Sequence, residues 1–65
     1  MKIRIIDDYG EVYETGRIMD AQELINDYID CIDDVEIIDF LHTVDEDTAM
    51  KFIKDMWGIE YEILN

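Results

Sequence analysis

Apolar residues recur along this chain with two different periods. From Lys2 to Ile6 they alternate with charged ones, Ile3 and Ile5 on one side and Lys2 and Arg4 on the other, which predicts a half-buried strand. Asp7, Asp8, Tyr9 and Gly10 carry turn chemistry. Glu11 to Thr15 then resumes as the second strand of a hairpin, which Gly16 and Arg17 end. The period lengthens next: Ala21, Leu24, Ile25, Tyr28, Ile29 and Ile32 stand at helical spacing and predict a first helix over about 21–31. Asp20, with Glu23 three residues on, has the form of a capping box at its start.

Asp33 and Asp34 interrupt that pattern. Val35 to His42, VEIIDFLH, is a mostly apolar run of strand length and composition and is predicted as a central strand. Ala49, Phe52, Ile53, Met56 and Trp57 return to helical spacing and predict a second helix. Thr43 with Glu46 and Asp45 with Thr48 offer caps at its start, and Gly58 offers one at its end. Ile59, Tyr61 and Ile63 alternate with Glu60 and Glu62 in a closing strand.

The order ββαβαβ predicts a single α+β domain over residues 1–65. It is expected as a two-layer sandwich, a four-stranded, mostly antiparallel sheet with two helices on one face. Leu24, Ile25, Tyr28, Phe52, Ile53 and Trp57 should form the layer between them. Lys2 and Arg4 should lie opposite Glu60 and Glu62, because the outward faces of the first and last strands carry opposite charge. Ala21 to Tyr28 also echoes Ala49 to Met56, each helix preceded by an Ile-Ile-Asp strand. Two amphipathic helices on one sheet give such a likeness by convergence, so the echo is not taken as a duplication.

Charge changes this picture most. The net charge is −13, and the stretch from Asp20 to Asp47 holds eleven carboxylates without a single Lys or Arg. All five basic residues lie in Lys2 to Arg17 or Lys51 to Lys54. On the first helix Asp27 and Asp30, continued by Asp34, form an acid stripe opposite the apolar face. Such a surface repels nucleic acid and anionic membranes, which need Lys and Arg to displace counterions, and suits a basic protein instead. With 49% hydrophobic residues and seven aromatics the chain has enough apolar material for a packed core despite that charge. A signal-peptide core and a membrane-length apolar run are both absent, and one cysteine, Cys31, cannot form an internal disulfide; it reads as a small buried hydrophobe. A soluble protein of a reducing cytoplasm is expected.

Catalytic chemistry finds little support. Paired carboxylates need a pocket that separates their pKa values, and a chain this short has little room for one. His42 is the only histidine and stands in no triad or zinc set. Asp45, Glu46 and Asp47 lack the glycine and the distal glutamate of a calcium loop, and read as a solvated helix start. Glycine-rich phosphate loops are missing. The chain is therefore expected to be no enzyme and to use no cofactor or metal.

Very small size, strong acidity, absence of catalytic motifs and carboxylates spaced along a helix make this sequence resemble, at the level of class, the phage- and mobile-element-encoded inhibitors that include anti-CRISPR and antirestriction proteins. Several of these are DNA mimics. The resemblance rests on composition across the whole chain and on no specific motif. It implies an inhibitor, working in the cytoplasm of a bacterial host, whose carboxylates stand in for phosphates in the Lys/Arg channel of a nuclease such as a CRISPR effector. The candidate contact residues are Asp20, Glu23, Asp27, Asp30, Asp33, Asp34, Asp45, Glu46 and Asp47. The alternative is a homo-oligomeric interaction module, such as a homodimer formed through Tyr9, Tyr13 or a sheet edge, in which acidity serves only solubility.

Overall fold

The alternation at residues 2–6 does produce a strand, and that strand is the centre of the sheet. A computed structural model describes residues 1–9 and 12–64, with β1 at Lys2–Asp8, β2 at Ile18–Asp20, α1 at Ala21–Asp30, α2 at Val35–Thr43, α3 at Glu46–Trp57 and β3 at Ile59–Ile63. β1 lies between β2 and β3, antiparallel to both. Ile3 and Ile5 are fully buried beside Met19 of β2 and Ile59 of β3, while Lys2, Arg4, Ile18 and Glu62 are exposed on the opposite face. One apolar cluster joins the inner face of the sheet to Leu24, Ile25 and Tyr28 of α1, Leu41 of α2, and Ala49, Met50 and Ile53 of α3.

The class is α+β as expected, but the described residues form three strands and three helices rather than four and two. Two segments account for the change. Asp7 and Asp8, expected in a turn, instead extend β1. Gly10 of that turn and Glu11 at the start of the expected strand lie outside the described residues, and 12–17 forms a loop instead of a strand. Its backbone donors go elsewhere: the carboxylate of Asp8 accepts from the N–H groups of Val12 and Tyr13, both at 2.8 Å. Gly16, at φ 89°, then turns the chain so that its N–H reaches the carbonyl of Ile5, and the Ile5 N–H reaches the carbonyl of Arg17. Pairing with β1 on that side is completed by Ile18–Asp20.

The run Val35 to His42 is helix α2, not a central strand. Asp34 takes extended backbone geometry, and its side chain accepts from the N–H groups of Glu36 and Ile37, satisfying donors that a helix start leaves open. Ile37, Leu41 and Val44, at i, i+4 and i+7, meet the core. A short apolar run has no period to separate strand from helix, and β-branched Val35, Ile37 and Ile38 favoured the wrong one. Both edges of β1 are already paired, which leaves no central place for another strand. The second Ile-Ile-Asp, residues 37–39, therefore lies in a helix, and the echo does not extend to the strands.

Smaller expectations divide. Asp20 caps α1, Asp45 caps α3, and Gly58, at φ 68°, ends α3 in the left-handed region. β1 and β3 are neighbours, with Arg4 opposite Glu62 and ion-paired to it. Irregular pairing between Ile5 and Asp7 moves Glu60 opposite Asp7 instead of a cation, and Lys2 faces Asp20 across β2. Cys31, expected buried, is exposed: α1 ends at Asp30, and no element covers the residue after it. Phe52 and Trp57 are half-buried at the rim of the core, not in its middle.

Candidate functional site

The acidic stretch separates into two groups once each carboxylate is placed. In the first group, every side chain has a partner inside the molecule. Asp20 accepts from the Gln22 N–H and lies 3.7 Å from the amino group of Met1, which also lies 3.3 Å from Glu46. Glu23 pairs with Arg17 at 3.2 Å and Asp47 with Lys51 at 3.0 Å. Asp34 and Asp45 are helix caps, the latter accepting from the Thr48 N–H at 2.8 Å. These contacts hold the Asp20 and Asp45 carboxyls below their ordinary range, through the Gln22 backbone donor at one and the Thr48 donors at the other. Lys51 is shifted up by its bond to Asp47.

Asp27 belongs to this group too. It is half-buried and accepts from the Tyr13 hydroxyl at 2.7 Å, so it does not continue a free stripe from α1. Tyr13, expected exposed, is buried, and burial together with the Asp27 carboxylate pushes its hydroxyl well above the ordinary tyrosine range. The Arg17 guanidinium lies over its ring, 5.4 Å from the centroid. Tyr13 also begins a chain of aromatic contacts: Tyr13 to Trp57 at 6.2 Å, Trp57 to Tyr28 at 5.0 Å, Tyr28 to Phe52 at 6.2 Å, and Phe52 to Phe40 at 5.5 Å. Pattern reading missed this chain because its members come from the loop and all three helices.

The second group is Asp30, Asp33, Glu36 and Asp39. All four are exposed, and none has a hydrogen-bond or ion-pair partner among the described residues. They lie close together along the chain, running from the end of α1 through the turn, past the capping Asp34, into α2. Glu36 and Asp39, absent from the candidate contact set, share a side of α2 three residues apart. Asp30 and Asp33 were in that set. The signal that could have found the other two is the same Lys/Arg-free stretch, had Val35 to His42 been read with a helical period. Exposed Val35, at 76%, stands in their midst.

Among the described residues there is no cavity, no group of three His, Cys, Asp or Glu side chains placed to hold a metal ion, and no helix long and apolar enough to cross a membrane. No protein-family model, curated protein or solved structure matches the chain.

Proposed function

We propose that this protein is a non-enzymatic inhibitor that binds the basic, nucleic-acid-binding surface of a nuclease such as a CRISPR effector, its carboxylates taking the place of phosphates. The observation that carries the reading is the set Asp30, Asp33, Glu36 and Asp39, four exposed carboxylates within ten residues that have no internal partner among the described residues. A partner that supplies Lys and Arg to them relieves repulsion within a chain of net charge −13, and gains the steering that such a field provides. The caps and ion pairs of the first group, by contrast, stabilise the fold and leave their oxygens less open to a partner. The site of action under this reading is the cytoplasm of a bacterial host.

The test is competition on purified RNA-guided and restriction nucleases, followed by gel shift of labelled target DNA. The protein should displace the DNA from its target nuclease, and rising salt should weaken the displacement steeply. Binding that leaves the DNA in place, or that is indifferent to salt, would remove phosphate mimicry from the account.

A further inference from the structure

The solvent face of α2 is not uniformly polar. With Ile37, Leu41 and Val44 turned to the core, the strip Val35, Ile38, Asp39 and His42, at i, i+3, i+4 and i+7, falls toward water. Val35 is 76% exposed, and half-buried Ile38 beside it is not among the residues packed on the core. Free carboxylates surround the pair: Asp33 before the helix, Glu36 on one side and Asp39 within the strip.

We infer that α2 is a docking ridge for a Lys/Arg-rich amphipathic helix of a partner protein, whose apolar stripe covers Val35 and Ile38 while its cations reach Asp33, Glu36 and Asp39. This rests on the reading above that the acidic surface meets a basic protein, and it names the element and the kind of partner segment. Charge complementarity selects the occupant. Two aliphatic side chains cover only a small part of the roughly 800 Å² per partner of a stable interface, so ion pairs must contribute the rest. Lys and Arg suit the place, because their aliphatic stems can lie on Val35 and Ile38 while the head groups reach the carboxylates. A second copy of this chain brings a net charge of −13 and the same acidic rim, and sets like charges against each other.

The test uses two labelled peptides of equal positive charge, a Lys/Leu amphipathic model helix and an oligolysine, followed by fluorescence anisotropy at matched salt. The wild-type protein should bind the Lys/Leu helix about tenfold more tightly than the oligolysine. The double variant V35S/I38S should lose that preference and keep its affinity for the oligolysine. V35S alone, at a site with little packing to lose, should lose part of the preference. Equal affinity for the two peptides overturns the ridge while leaving the basic-partner reading in place; binding to neither overturns both. Sedimentation showing self-association that V35S/I38S abolishes would overturn the inference by assigning the ridge to a second copy.

Discussion

α1 and α2 are nearly equal in length, each starts at an aspartate cap, and α2 has the more apolar sequence. Yet α1 buries Ala21, Leu24, Ile25 and Tyr28, whereas α2 buries only Leu41. Their carboxylates differ in the same sense: Glu23 and Asp27 within α1 are bonded to Arg17 and Tyr13, while Asp30 at its last position and both Glu36 and Asp39 on α2 are bonded to nothing described. Burial is decided by what an element can lie on, not by its apolar content. A three-stranded sheet offers one inner face, and α1 and α3 cover it. α2 is left at the rim, where its unused apolar and acidic side chains are open to a partner.

The largest effect that should separate the two helices is a core truncation. Leu24→Ala on α1 is expected to destabilise by about 2–5 kcal/mol, enough to threaten folding of so small a domain. Val35→Ala on α2 should stay within about 0.5 kcal/mol. Urea unfolding followed by Trp57 fluorescence measures both, and a large loss at Val35 would show α2 to be integral to the core.

Next in size is the bond that fastens Asp27. Tyr13→Phe removes the hydroxyl and leaves a half-buried carboxylate without its donor, an expected loss of roughly 1.5–3 kcal/mol. The same contact makes the fold sensitive to alkali. Burial raises the hydroxyls of Tyr13, Tyr28 and Tyr61 above the ordinary value of 10.0, so the folded protein holds protons that the unfolded chain releases. Stability from these groups is complete below pH 10 and is lost as pH climbs from there through their folded values. Thermal unfolding from pH 8 to 12 should show that decline, and Tyr13→Phe should flatten part of it. In acid the sign reverses. The lowered carboxyls of Asp20 and Asp45 contribute fully above their ordinary value of 3.8 and lose that contribution as pH falls below it.

A smaller effect lies on the outer face of the sheet, where Asp7 stands opposite Glu60. Glu60→Lys turns a like-charge pair into an opposite one and should stabilise by about 0.2–1 kcal/mol, measured as a higher melting temperature that salt diminishes. No gain at low salt would mean that this pair does not repel.

Where side-chain period met a long enough segment, the sequence was legible: β1, α1, α3 and β3 follow from Ile3/Ile5, Leu24/Tyr28, Ala49/Ile53 and Ile59/Tyr61. Val35 to His42 was not, because an unbroken apolar run fits either element and the deciding contact, Asp34 capping Glu36 and Ile37, belongs to the turn before it. Residues 12–15 were expected to continue a strand, but Asp8 and Tyr13 divert them through contacts that no local pattern encodes. The candidate site was legible as a charge, not as a geometry. Seven of its nine carboxylates turn out to have internal partners, leaving Asp30 and Asp33, to which α2 adds Glu36 and Asp39.

The division between the two groups of carboxylates is tested most directly by neutralising four of each. One variant carries Asp30→Asn, Asp33→Asn, Glu36→Gln and Asp39→Asn; the other carries Asp20→Asn, Glu23→Gln, Glu46→Gln and Asp47→Asn. Both lose the same charge, and asparagine at 20 still caps α1. Affinity of each for the labelled Lys/Leu helix is then measured against salt concentration. The unpartnered set should lose affinity by more than tenfold and flatten the salt dependence, while the partnered set stays close to wild type. Equal losses in the two variants would mean that net charge alone attracts the partner, and that the 30–39 surface has no special part in binding.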